Sequence, residues 1–207
     1  MTQYQLTVVN NSVNFVDLCV YQSQPDLSTY DVQTLAWAVK PTNPTGTVVF
    51  TWEEDYSFVW AHNGALAAGV QFVSSQAWPA DPSDPNLQQV LFTMANSAYT
   101  FEQGAAVPNP VTGSLYIGET DQIPLNQASV GIGMSGSGTH IVSAQPNQVL
   151  MLTPHPEYWI TAGTFTQGTV IDVEQITNVG DLVFPPGVFA LNATLNVDNT
   201  WTVTATP

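Results

Sequence analysis

The chain has 207 residues, 16 acids and one basic side chain, Lys40, for a formal net charge of −15. Its residues are 44% apolar, enough for a packed core, and only 8% charged, against about a quarter in an average domain. Disorder is therefore excluded, and the lack of clustered Lys and Arg argues against nucleic acid and anionic membranes, leaving a neutral ligand, a cation or another protein as partner.

Residues 1–4 carry no basic n-region, and no apolar run follows that is long enough for a signal peptide. No apolar stretch of about 18 residues exists to span a membrane as a helix. The expectation is a cytoplasmic chain, or one exported without a cleaved signal peptide or after its removal. Residues 4–9 and 13–22 read as strands joined by the turn Asn10-Asn11-Ser12. The single cysteine, Cys19, has no internal disulfide partner and alternates within the second strand, so it reads as a small buried hydrophobe. Residues 25–31 form a polar loop, 33–39 a strand or short helix, and 41–46 a turn.

The turn leads into 46–64, GTVVFTWEEDYSFVWAHNG, the densest aromatic stretch. Strict alternation marks half-buried strands. Two runs closing on Glu53-Glu54-Asp55 predict a hairpin with Trp52 opposite Tyr56, Phe50 opposite Phe58 and Val48 opposite Trp60, one apolar face at the centre of the core. Asp55 is expected to take the left-handed conformation that ends such a loop. Further strands are expected at 70–75, 88–94, 98–102, 114–118, 129–134, 139–145, 148–153, 158–166, 169–176, 188–197 and 200–206. Asn96-Ser97 and Asp198-Asn199 supply hairpin turns, and the loop 79–85 is an insertion rich in proline. Some thirteen to fifteen short strands with hardly any helical periodicity predict one all-β domain over 1–207, an antiparallel β-sandwich or jelly-roll-like fold.

Chemistry is sparse. Gly131, Gly133 and Gly136 match the spacing GxGxxG, but the motif works only where it opens a helix after a strand. Here His140-Ile141-Val142-Ser143 reads as strand, so a glycine turn or a close backbone approach is expected. Ser135 and Ser137 lack the GxSxG elbow, and no spacing ties either to His140 or His155. His62, His140 and His155 show no metal-ligand spacing, and His155 between two prolines reads as a turn residue. Acids gather on loops: Glu53, Glu54 and Asp55; Asp81 and Asp84; Glu119 and Asp121. Hard oxygen ligands on loops suit Ca²⁺, although no EF-hand spacing is present, and solvated turn acids are the simpler reading. Trp37, Trp78, Trp159 and Trp201 lie outside the aromatic stretch. Trp78, beside the proline loop, is the weak candidate for an exposed glycan platform, and core or interface packing is the simpler reading.

Several runs carry a resemblance: Leu18-Cys19-Val20-Tyr21-Gln22 after Asn10-Asn11-Ser12; Leu35-Ala36-Trp37; Asp55-Tyr56-Ser57-Phe58-Val59-Trp60; and Ala77-Trp78-Pro79-Ala80-Asp81. The run 124–136, PLNQASVGIGMSG, is fairly specific, and Pro154-His155-Pro156, Tyr158-Trp159-Ile160 and Asp198-Asn199-Thr200-Trp201 follow. Over nearly the whole chain these resemble the rhizosphere-expressed Rhi protein A family of rhizobia and related bacteria. The resemblance implies an abundant, quorum-regulated protein of plant-associated bacteria and carries over no catalytic residue. With no catalytic constellation and few charges to guard strand edges, the expectation is a non-enzymatic structural or interaction protein that self-associates into a homo-oligomer, filament or inclusion, with no cofactor. The alternative is a lectin-like or Ca²⁺-assisted glycan-binding sandwich, and a carbohydrate-active enzyme stands third.

Overall fold

The structure, a computed structural model, describes residues 2–23, 31–104, 107–154 and 156–206. Eighteen strands and no helix occur among them. In chain order they are β1 (Gln3–Asn10), β2 (Val16–Gln22), β3 (Gln33–Leu35), β4 (Ala38–Thr42), β5 (Thr47–Glu53) and β6 (Tyr56–Ala61). Then come β7 (Gln76–Ala80), β8 (Gln89–Ala95), β9 (Ala98–Gln103), β10 (Leu115–Glu119), β11 (Ser129–Met134) and β12 (Ser137–Ser143). The last six are β13 (Val149–Leu152), β14 (Tyr158–Gly163), β15 (Val170–Ile171), β16 (Gly180–Asp181), β17 (Ala190–Leu195) and β18 (Trp201–Ala205). His155 and residues 24–30, most of the expected 25–31 loop, lie outside the described residues.

The strands form four sheets, ordered β18-β17-β1-β5, β16-β14-β2-β4, β15-β3-β12-β11-β6-β7 and β13-β10-β8-β9. Pairing is antiparallel except for β1 with β17 and β8 with β10. Sheets pack face to face, as in a sandwich. Leu6, Val8, Phe50, Trp52, Leu191 and Ala193 of the first sheet meet Leu18, Val20, Tyr158 and Ile160 of the second. Phe58, Trp60, Val130 and Ile132 of the third meet Val90, Phe92, Phe101 and Ile117 of the fourth.

The expected hairpin over 46–64 is not formed. β5 pairs with β1, placing Trp52 beside Tyr4 and Phe50 beside Leu6, while β6 pairs with β11 and β7. The chain crosses between sheets at Glu54 and Asp55. Alternation assigned the faces correctly, since Phe50 and Trp52 are buried and Thr47, Val49 and Thr51 exposed, but it carries no information on the partner strand. The aromatics therefore divide between two cores, and Asp55 is not among the residues with positive φ. Residues 4–9 and 13–22 likewise belong to different sheets.

The hairpins β8–β9 and β17–β18 form as expected, with Asn96, Ser97 and Asn199 at φ of 51°, 64° and 63°. The stretch 70–75 contributes only an isolated bridge from Gln71 to Thr169, and Phe72 packs onto the face of the third sheet against Leu35, Val59, Ile141 and Val170 instead of extending a ladder. The expected strand at 169–176 stops after Ile171, where Asp172 accepts the backbone N–H groups of Glu174 and Gln175 in a turn. Cys19 is fully buried, and burial pushes its thiol up to about 12.

The GxGxxG run opens no helix. Gly131 lies in β11 against the backbone of β12, and Ser135 and Gly136, at φ of 50° and 75°, turn β11 into β12.

Candidate functional site

The crossover between β5 and β6 organises the surface. Ser135 holds it from the β11–β12 turn: its Oγ accepts the Glu53 N–H at 2.8 Å, and the Asp55 carboxylate accepts the Ser135 N–H at 2.8 Å. The same hydroxyl lies within donating reach of the Glu53 carbonyl, at 3.0 Å, and of Asp55 Oδ1, at 3.1 Å. Because β6 also pairs with β7, the crossover sits beside the start of the proline loop.

The result is a cleft of about 640 Å³ that brings together Trp78, Glu54, Asp55 and Asp81, with Tyr56 and Leu87 in its walls. Four residues singled out by type thus converge from two separate segments. Trp78 is half-buried and packs edge-on against Phe101, ring centroids 6.2 Å apart, so it is partly core and partly cleft wall. Asp81 closes its own turn by accepting the Ser83 N–H and hydroxyl at 2.8 and 2.6 Å, which holds its carboxyl below the usual carboxylate range. Glu54 is exposed and accepts a long hydrogen bond from the Tyr158 hydroxyl, 3.4 Å. Burial, and then the negative charge of Glu54, push the Tyr56 hydroxyl well above the usual tyrosine range.

The other acids stand apart. Glu53 is tied through its backbone to Ser135, and Asp84 caps Asn86 on the proline loop. Asp121 is exposed in the turn after β10. Glu119 is buried with Oε1 accepting the Gln145 N–H at 3.2 Å and Oε2 unpartnered. A calcium site needs about six to eight oxygens at 2.3–2.6 Å; among the described residues no group of three or more His, Cys, Asp or Glu converges in that way. His140 is buried in β12, with Thr34 of β3 and Ile132 of β11 as its cross-strand neighbours. Trp37 is buried and donates to the Met134 carbonyl at 2.9 Å. Trp159 and Trp201 are partly buried, and Trp201 donates to the Asn178 carbonyl at 2.8 Å.

A second surface was not singled out by residue type. Most sheet edges carry a guard: Lys40 and Pro41 in β4, Pro79 in β7, Glu102 in β9 and Asp181 in β16. Lys40 also covers the edge of β5, donating to the Val49 carbonyl at 2.6 Å above the Phe50 ring. β18 is the longest edge strand with neither charge nor proline. Its inward bonds to β17 run through the alternate residues, as Thr206 donating to Ala190 and Asn196 donating to Thr200 show. The N–H and C=O groups of Val203 and Ala205 therefore point away from the sheet.

Comparison with known proteins places these features in a family setting. The family model described as RhiA matches residues 1–206. Protein RhiA of Rhizobium leguminosarum bv. viciae is 36% identical over 209 residues, an alignment covering 98% of this chain and 86% of that protein. No solved structure matches the chain.

Proposed function

The chain belongs to the RhiA family, and from that premise we propose that it is a non-enzymatic interaction protein whose copies self-associate edge to edge into a homo-oligomer or filament. The observation that carries this reading is the outer edge of β18, an uncharged strand whose backbone groups at Val203 and Ala205 have no partner among the described residues. Unpaired edge groups template the addition of another strand unless charge, proline or cover prevents it. The opposing term is the net charge of −15. Salt weakens that repulsion, since the Debye length falls from about 30 Å at 0.01 M to about 8 Å at 0.15 M.

Light scattering and negative-stain microscopy at pH 7 and pH 5, in low and physiological salt, test the reading. Ordered particles larger than the 22.3 kDa chain, favoured by salt, are the expected result. Val203→Pro removes an outward donor without touching a bond to β17, and Thr204→Lys adds a charge on an exposed face. Either substitution is expected to leave a monodisperse monomer with an unchanged far-ultraviolet spectrum. A wild-type monomer under every condition, or variants that assemble like wild type, would sink the proposal.

A second reading, binding of a neutral glycan, is favoured by the convergence of Trp78 with Glu54, Asp55 and Asp81 in one cleft. Aromatic faces beside hydrogen-bonding groups are the usual makings of such a site. It predicts quenching of tryptophan fluorescence by sugars from a glycan screen, lost in Trp78→Ala. Quenching that survives this substitution would remove the cleft from consideration.

A further inference from the structure

Glu54 also lines a second cleft, of about 550 Å³, on its other side, within the usual range for small-molecule sites. Four segments distant in sequence build it, one with Tyr4 and the other three each with an acid. Glu54 comes from the crossover, Glu157 from the residues just before β14, and Asp181 from β16, which the Leu182 N–H holds to the Tyr158 carbonyl at 2.9 Å. Among the described residues the carboxylates of Glu157 and Asp181 accept no hydrogen bond, and both side chains are exposed.

Rings wall the same cleft. Phe184 meets Tyr4 edge-on at 4.9 Å and Tyr158 at 6.0 Å, and Tyr4 and Tyr158 lie 6.1 Å apart at 47°. Tyr4 and Phe184 are half-buried, so their rings are shared between core and cleft. Three acidic residues and two half-buried rings thus line one hollow, and no basic side chain lines it. The single lysine is committed elsewhere, to the Val49 carbonyl and the Phe50 ring. Burial, and after it the charge of Glu54, raises the Tyr4 hydroxyl above its ordinary range, and burial raises that of Tyr158.

The chemistry of the walls selects the kind of cation. A hard ion such as Ca²⁺ needs converging oxygens, and among the described residues no three acids converge so. Spread carboxylates over ring faces suit a large, weakly hydrated cation, which gains from the ring quadrupole as well as from the opposite charge. We propose that this second cleft binds a small organic cation, an alkyl or quaternary ammonium on an apolar body, with Glu54, Glu157 and Asp181 supplying the countercharge and the half-buried Tyr4 and Phe184 the ring faces. No residue of β18 lines this cleft, so cation binding there is independent of self-association.

Choline is the probe, titrated into the full chain by calorimetry and by ligand-observed NMR, with sodium chloride at matched ionic strength as the reference. Wild type is expected to bind choline about tenfold or more tightly than its neutral isostere, in which carbon replaces nitrogen. The double variant Glu157→Gln, Asp181→Asn changes two exposed side chains and is expected to weaken binding at least about fivefold with an unchanged melting temperature. Phe184→Ala, checked for folding by circular dichroism, is expected to weaken it to a similar degree, and Thr204→Lys to leave it alone. Equal binding of the neutral isostere, a double variant that binds like wild type, or a signal that sodium chloride reproduces would each overturn the proposal. So would competitive displacement of choline by calcium, which would assign the acids to a metal.

Discussion

Gly131→Ala is expected to lower the melting temperature by about 8–16 °C or to prevent folding outright. β11 runs between β12 and β6, with Gly131 opposite Ile141 on one side and Val59 on the other. A Cβ at this position would overlap the His140 carbonyl oxygen and lie 2.8 Å from the Ile141 Cα, both backbone atoms of a central strand. No rotamer change relieves that contact, so the sheet must open. A loss of about 4 kcal/mol or more is a large share of the 5–15 kcal/mol that holds a typical domain together. Gly136→Ala is the matched control from the same GxGxxG run. Its φ is +75° with nothing within 4 Å, so the cost is the left-handed conformation alone, about 1–2 kcal/mol. Thermal melts by circular dichroism separate the two. A Gly131→Ala melt within a few degrees of wild type would show that β11 and β12 do not approach as described.

Stability is expected to fall by about 2 kcal/mol between pH 6.5 and 8, and Glu119→Gln to abolish that fall. Burial, only partly offset by the Gln145 N–H, pushes the Glu119 carboxyl up to about 8, against about 4.5 in the unfolded chain. Between those values the folded state keeps a proton that the unfolded state releases, so stability drops as pH rises, by up to about 1.4 kcal/mol per unit. His140 acts at the opposite end. Burial lowers its pKa to about 4 from 6.5, so in that interval the unfolded chain takes up a proton that the folded chain refuses, and stability drops as pH falls. From about pH 4.5 to 6.5 the two slopes oppose each other, and above 6.5 only Glu119 remains. Urea midpoints measured across pH 5–8.5 check this. A wild-type curve flat to pH 8, or a Glu119→Gln curve parallel to it, would contradict the buried, protonated carboxyl.

What the sequence revealed was local. Hairpins closed by Asn96-Ser97 and Asp198-Asn199 were legible because two adjacent residues that tolerate positive φ fix both the turn and its register. The split of Thr47–Glu53 from Tyr56–Ala61 was not, because their partners are β1 and β11, and alternation reports a buried face without saying what lies beside the strand. The candidate cleft was half-legible for the same reason. Trp78, Glu54, Asp55 and Asp81 stood out by type, yet their convergence depends on the pairing of β6 with β7 and on Ser135 pinning the crossover. Ser135 stands out in the sequence only by its nucleophilic hydroxyl. Its structural role had one faint signal, a Ser-Gly pair between two strands. The second cleft left none, since Tyr4, Glu54, Glu157, Asp181 and Phe184 share no local pattern.

The parallel ladder of β1 with β17 sets a clock on biosynthesis. Gln5 lies opposite Ala190, so the partner of the first strand is synthesised about 185 residues after it. At about 5–20 residues per second the ribosome needs roughly 10–40 s to deliver it. β5 can cover one side of β1 within seconds, but the other side waits for nearly the whole chain. During that interval a nascent chain carries an open strand edge that other nascent chains on the same messenger can reach. Heavy expression would thus make this protein a client for chaperones that shield strands until β17 has been made.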